Sequence, residues 1–133
     1  MGRTYAIGDI HGCAKTVKKL LLNELKIIKE DTIYFLGDYI DRGSGSKEVI
    51  DFIIGLKNEN YHINTLRGNH EQLFMDSDRS FSDFQNWIAN GGVATLESFE
   101  ISRFSELEDV YKNFFNETKF YFCIYFIGHA FNG

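Results

Sequence analysis

The sequence predicts an α/β domain: a β-α-β-α-β unit with a mostly parallel sheet, then a helical segment and a C-terminal strand. Three observations lead there. Short β-branched and aromatic runs alternate with segments of helical apolar spacing, an order that builds parallel sheets through right-handed crossovers. Each of the first three strand-like runs leads directly into a loop rich in Gly, Asp, Asn and His. The composition, 44% hydrophobic, 25% charged and 16% aromatic, suits a globular core that contains a sheet.

Thr4 to Ile7 reads as the first strand. Cys13 to Leu25 follows as an amphipathic helix, with Val17, Leu20, Leu21 and Leu25 on one side and Lys15, Lys18 and Lys19 on the other. Thr32 to Leu36 is the second strand. A second helix, capped by Ser46, runs to about Leu56 with Val49, Ile50, Ile53 and Ile54 apolar. Ile63 to Leu66 is the third strand, ending at Asn69. Beyond His70 the pattern is mainly helical: Phe81 to Asn90, terminated by Gly91-Gly92, then Val93 to Phe99, then Glu106 to Phe115. Thr118 to Ile127 is rich in Phe, Tyr and Ile and reads as a strand without an internal turn signal.

Several function classes drop out on composition. At 133 residues the chain is long enough for one domain. A net charge of −5 argues against general nucleic-acid binding, which carries a basic patch. The longest apolar run, Phe120 to Ile127, falls well short of the ~20 residues that span a bilayer, so no membrane partner is expected. Met1-Gly2-Arg3-Thr4 leads straight into a strand, and no leader is expected. Cys13 and Cys123 are too few for a disulfide framework, which suits free thiols in a reducing cytoplasm. Gly43-Ser44-Gly45-Ser46-Lys47 lacks the spacing and ending of a Walker A loop.

The chemistry gathers in three segments: Gly8-Asp9-Ile10-His11-Gly12, Gly37-Asp38-Tyr39-Ile40-Asp41-Arg42-Gly43 and Gly68-Asn69-His70-Glu71. In parallel sheets the loops after the strands meet along one edge, so these three should converge. Carboxylate, imidazole and amide oxygen are ligands for hard and borderline divalent metals. Asp9 and His11, two apart in an extended segment, point the same way and can reach one ion. Asp38 has two oxygens and can bridge two ions. Asn69 offers a neutral amide oxygen, which leaves room for an anionic substrate. His70, beside it, is placed as a general acid, with Asp41 to orient it. Arg42 offers a planar fork for phosphate, or it pairs with a nearby acid. Arg67 reads equally as a phosphate contact or a structural ion pair. His62 starts the third strand and belongs to the opposite end of the sheet. Trp87, Phe81 and Phe84 read as core. Singly, each loop is also an ordinary Asx turn; three at the same end of three consecutive strand–helix units are much harder to assemble by chance.

These motifs resemble the signature of the PPP-type metallophosphoesterases, which include Ser/Thr protein phosphatases and symmetrical diadenosine tetraphosphatases. Trp87-Ile88-Ala89-Asn90-Gly91-Gly92 with Thr95-Leu96 is similar to their bacterial and phage branch. The resemblance covers roughly residues 3–133. It implies that residues 1–133 are the N-terminal β-α-β-α-β half of a calcineurin-like metallophosphoesterase sandwich, incomplete at the C-terminus. It implies a first metal on Asp9 and His11, a bridging Asp38, and a second metal on Asn69. Ile127-Gly128-His129-Ala130 is similar to a family strand end that supplies a second-metal histidine, which makes His129 a candidate ligand, although the Gly expected after Ala130 is missing and Ser44 stands where Pro is common. The implied cofactors are two divalent ions, Mn²⁺ first and Fe or Zn as alternatives, with the second site incomplete. The implied reaction is hydrolysis of phosphoserine or phosphothreonine in proteins, or of a dinucleoside polyphosphate, by a two-metal-activated hydroxide. The alternative is a catalytically impaired remnant that binds metal or phosphate. A sheet left uncovered would favour self-association.

Overall fold

Three short parallel strands share one register, and everything that positions the site follows from their common ends. The computed structural model describes residues 2–121. Strands β1 (Thr4–Ile7), β2 (Thr32–Phe35) and β3 (His62–Thr65) lie in the order β1-β2-β3. Thr4, Thr32 and His62 stand abreast at one end, and Ile7, Phe35 and Thr65 at the other. The three strands therefore stop together, and the loops that follow them leave from one edge.

The first three expected strands, Thr4 to Ile7, Thr32 to Leu36 and Ile63 to Leu66, match within a residue, because each is a short β-branched or aromatic run with a polar or Gly boundary. One face of the sheet is apolar: Ile33 and Phe35 are fully buried, with Tyr5 and Ile63 abreast of Ile33 and Ile7 abreast of Phe35. On the other face Thr4 and Ala6 are exposed.

Helix α1 (Ala14–Lys18) buries Ala14 and Val17 and continues as a wider π-helical segment, Lys19–Glu24, that buries Leu21. The expected helix over Cys13 to Leu25 is thus present, with its second half opened by one residue per turn. The Leu25 N–H reaches the Leu20 carbonyl at 2.8 Å. Helix α2 (Ser46–Asn58) buries Val49, Ile50, Ile53 and Leu56 and packs on α1. Its N-cap is Gly45, not Ser46, whose hydroxyl lies inside the first turn and bonds elsewhere. Asn60 closes the helix in the left-handed region (φ 68°). The Tyr61 N–H reaches the Leu56 carbonyl and the Asn60 N–H that of Lys57, a Schellman ending.

The sequence reading missed one helix. Asn69 does not end the third strand; it opens α3 (Asn69–Asp76). Two further helices, α4 (Phe81–Trp87) and α5 (Val93–Phe99), are joined by a π-helical turn, Ile88–Gly92, that kinks at Asn90 and Gly91. The two glycines turn the chain and carry it on into α5 without ending the run. A 3₁₀ turn (Phe104–Glu106) precedes α6 (Asp109–Asn116). Phe74 of α3 stacks on Trp87 (centroids 4.5 Å apart, planes at 19°) and meets Phe104 and Phe115 edge-on. Phe81 is not core: it opens α4 and is 74% exposed. His62 is exposed at the far end of β3, as expected.

After α6 the chain returns to the sheet. Lys119 bridges Leu66 in parallel, with its N–H on the Thr65 carbonyl at 2.9 Å and its carbonyl accepting from Arg67 at 2.7 Å. Arg67 holds this segment, donating to Thr118 Oγ1 at 3.0 Å and Gln72 Oε1 at 3.1 Å. Among the described residues its guanidinium is therefore structural, through neutral acceptors and not an ion pair. The rest of the expected strand to Ile127, with Cys123 and His129, lies outside the described residues. Among the described residues no helix is long and apolar enough to cross a membrane.

A buried carboxylate ties the entry of β1 to that of β2. Asp31 accepts the Arg3 N–H at 2.8 Å and the Ile28 N–H at 2.9 Å, with the Arg3 guanidinium 3.5 Å away. Those two backbone donors, ahead of the guanidinium, hold its carboxyl below the usual range. A lowered folded value stabilises the fold above the unfolded value of about 3.9, and that contribution fades as pH falls through the folded value. Asp31→Asn is expected to lower the urea midpoint at pH 7, and its difference from wild type should shrink below about pH 4. An equal difference at both pH values would remove Asp31 as the anchor.

Candidate metal centre

The first two loops interlock through backbone hydrogen bonds before any side chain is considered. The His11 and Gly12 N–H groups donate to the Asp38 and Tyr39 carbonyls at 2.9 and 2.8 Å, and the Gly43 N–H returns to the His11 carbonyl at 3.1 Å. The third loop approaches closely because Gly68 has no side chain. A Cβ there would sit 2.4 Å from both the Asp38 nitrogen and its Oδ1.

That packing forces unusual backbone. Among the described residues eight non-glycine positions have positive φ, and five are Asp9, His11, Asp38, Asp41 and Arg42 (φ 45°, 42°, 57°, 73° and 71°). The expectation that Asp9 and His11 lie in an extended segment is therefore corrected: both are left-handed. They still converge, because the turn and not the strand aims them. Such conformations persist only where the surroundings over-determine them, and they collect at functional sites.

Asp9, His11 and Asp38 each present a ligand atom within 4.8 Å of the others, close to the ~4 Å span of donors around one ion. His11 Nδ1 lies 2.9 Å from the Ile40 carbonyl. A carbonyl only accepts, so Nδ1 carries the proton and Nε2 presents its lone pair, the state a metal-binding imidazole needs. Asp38 Oδ1 accepts the His70 N–H at 3.0 Å, and Oδ2 has no partner among the described residues. Asp9 is exposed. This donor set fits a divalent cation.

His70 and Asn69 occupy the first turn of α3. His70 points inward, almost fully buried, with Nδ1 2.7 Å from Asp41 Oδ2 and its ring edge-on to His11 at 4.7 Å. Asn69 stays exposed at the helix start. Arg42 is exposed and enters none of the ion pairs among the described residues.

Several residues that hold this site were not assigned a role from the sequence. Glu71, fully buried, accepts the Asp38 and Gly68 N–H groups on Oε1 at 2.6 and 2.9 Å and the Tyr39 N–H on Oε2 at 2.9 Å. At the third helical position it accepts the N-cap Gly68 N–H, the one half of a capping box that a glycine cap allows, a role hidden by reading Asn69 as strand. Burial pushes its carboxyl up to about 7, while the three N–H groups pull the other way. Tyr39, also fully buried, donates to the Leu66 carbonyl at 2.6 Å, and burial pushes its hydroxyl pKa up. Trp87 and Thr95, read as core and as part of a resemblance, both donate to Asp41. Nothing in their spacing announces that.

Residues 2–129 match the calcineurin-like phosphoesterase family. The chain is 35% identical over 88 residues to serine/threonine-protein phosphatase 1 of Salmonella typhimurium, covering 66% of this chain and 38% of that protein. It is 40% identical over 68 residues to the symmetrical bis(5'-nucleosyl)-tetraphosphatase of Actinobacillus succinogenes, covering 51% and 24%. The chain thus matches well under half the length of these curated relatives. A crystal structure of a putative diadenosine tetraphosphatase shares the fold, with a TM-score of 0.57 at 17% identity over 88% of this chain and 46% of that one.

The Glu71 contacts give a direct test. Glu71→Gln keeps the shape but turns an amide N–H₂ toward a backbone N–H it should accept from. Leaving a buried donor without its acceptor costs about 1–3 kcal/mol. Urea unfolding of Glu71→Gln should show that loss, and unchanged stability would mean the carboxylate does not hold the two loops together.

Proposed function

The chain belongs to the calcineurin-like phosphoesterase family, and on that premise we propose that it is a metal-dependent phosphoesterase whose site is built by residues of one domain over 1–133. The observation that carries this reading is a juxtaposition. A metal-ligand cluster and a buried histidine–carboxylate pair lie against each other, joined by the His70 N–H on Asp38 and the His11–His70 ring contact.

In this proposal Asp9, His11 and Asp38 hold one divalent ion, with Mn²⁺ the first candidate. Asp38 and Asn69 contribute to a second ion, with His129 as its further candidate ligand. Bound there, divalent ions supply Lewis-acid charge on phosphate and a water activated at neutral pH. The protein's own groups do the rest. Asp41 holds the His70 ring by Nδ1 and leaves Nε2 to carry the proton that passes to the leaving oxygen. Arg42, exposed and without an ion pair among the described residues, offers its planar fork to two phosphate oxygens. The substrate is a phosphoserine or phosphothreonine in a protein, or a dinucleoside polyphosphate.

Two measurements test this. Calorimetric titration with Mn²⁺ should show affinity reduced at least about tenfold in Asp38→Asn; equal affinity would exclude Asp38 as a ligand. His70→Asn should lower turnover of phenyl phosphate by about 10²–10⁴-fold and that of p-nitrophenyl phosphate much less, since the better leaving group needs no proton. Equal losses would take the acid role away from His70. A phosphothreonine peptide and a symmetrical dinucleoside tetraphosphate, assayed side by side, decide the substrate; Mn²⁺ binding with turnover of neither would leave a binding protein.

A further inference from the structure

The Asp41 carboxylate has no access to solvent and is held by more than the histidine. On Oδ2 it accepts from His70 Nδ1 at 2.7 Å and from the Trp87 indole N–H at 2.9 Å. On Oδ1 it accepts from the Thr95 hydroxyl at 2.6 Å. The Asp41 N–H donates to the same hydroxyl oxygen at 2.9 Å and to Ser46 Oγ at 3.2 Å. Both oxygens and the backbone of one residue are thus fixed by donors and acceptors from α2, α3, α4 and α5.

The segment carrying Trp87 and Thr95 is shaped for this. Its kink places the Gly91 carbonyl 3.1 Å from the Arg42 N–H. A Cβ on Gly91 (φ 100°) would lie 2.7 Å from Arg42 Cγ, and one on Gly92 would lie 2.5 Å from the Trp87 ring. The two glycines therefore let the turn press on Asp41-Arg42 and on the indole together. Asp41 and Arg42 both have φ above 70°, and this segment supplies contacts that hold them there. Burying the Asp41 carboxylate among donors is seldom more stable than apolar packing. Its remaining partner is His70, at the edge of the metal cluster.

We propose that Trp87 and Thr95 are positioning residues. They fix the rotation of the Asp41 carboxylate so that Oδ2 aims at His70 Nδ1 and locks that ring in one tautomer and one orientation, while the Gly91 carbonyl fixes Arg42 from the same turn. The effect on turnover rests on the proposed role of His70; the effect on the ring does not.

Trp87→Phe keeps an aromatic ring for the stack on Phe74 and deletes only the indole N–H and its ring volume. Thr95→Val deletes the hydroxyl at nearly constant shape, and Thr95→Ser restores it. The protein has four histidines, so two-bond ¹H–¹⁵N spectra of ¹⁵N-histidine-labelled protein can follow His70, identified by its loss in His70→Asn. The wild type should show one set of His70 signals with Nδ1 protonated and held on Asp41, leaving Nε2 as the site of the transferable proton. Trp87→Phe and Thr95→Val should show mixed or exchange-broadened signals, and Thr95→Ser should return to the wild-type pattern. Mn²⁺ affinity and KM should stay constant while kcat on phenyl phosphate falls about 10–100-fold, with no further loss from Trp87→Phe in a His70→Asn background. An unchanged His70 spectrum in folded Trp87→Phe or Thr95→Val overturns the proposal. So does an equal kcat loss with and without His70. A shifted tautomer together with a His70→Asn variant that has no leaving-group bias would uphold the positioning and refute the acid role.

Discussion

A carboxylate sealed from water must find donors, and Glu71 finds them in the backbone of two loops that the sheet alone does not join. Strands β2 and β3 end side by side, but their loops could leave in many directions. By taking the N–H groups of Asp38 and Tyr39 on one side and Gly68 on the other, Glu71 makes the second and third loops one object. The candidate centre depends on this. With Asp38 fixed at its amide, its carboxylate is in reach of the His70 N–H, and its carbonyl is in reach of the His11 N–H. The first loop is then aligned by the second, and the second by Glu71.

The cost of this arrangement is visible in the dihedral angles. Left-handed conformations at Asp and His are uncommon but accessible, and at Arg they are rarer. Their concentration at Asp9, His11, Asp38, Asp41 and Arg42 means that rigid neighbours, and not local preference, set the site. Those neighbours are the in-register strands below, the Glu71 contact between loops, and the kinked segment between α4 and α5 above Asp41. The aromatic stack of Phe74 on Trp87 belongs to both levels. It fills the core, and it holds the indole whose N–H reaches the site.

This explains what was legible in the sequence. The strands were, because period and boundary residues are local: Ile33-Tyr34-Phe35 after Thr32 needs no partner to be read. The convergence of Asp9, His11 and Asp38 was also legible, because they follow strands whose order fixes their neighbourhood. The backbone that aims them was not. Reading Asp9 to His11 as extended gave the right convergence by the wrong geometry. Placing Asn69 at a strand end hid both the helix it begins and the capping role of Glu71. Ser46 looked like a cap because Ser usually is one there; tertiary contact with Asp41 and Thr95 overrides that preference. Trp87 was legible as core and invisible as a donor, since hydrophobic spacing says nothing of where an indole N–H points.

The carboxylates of the site sort themselves by the donors they already have. Glu71 and Asp41 are sealed and each accepts three hydrogen bonds, so neither has a free face for a cation. Asp38 is half-buried and accepts one, from the His70 N–H. Asp9 is exposed and accepts none among the described residues. Unsatisfied negative charge therefore increases outward, from the buried pair to the surface pair beside His11 Nε2. The outer two are the ones open to a cation, because their lone pairs are the least satisfied among the described residues and the like charges there repel each other. The inner two hold the loops in the shape that keeps the outer two apart from any other partner. The same residue type thus does two jobs a few ångströms apart, and burial with its hydrogen bonds decides which job each one has.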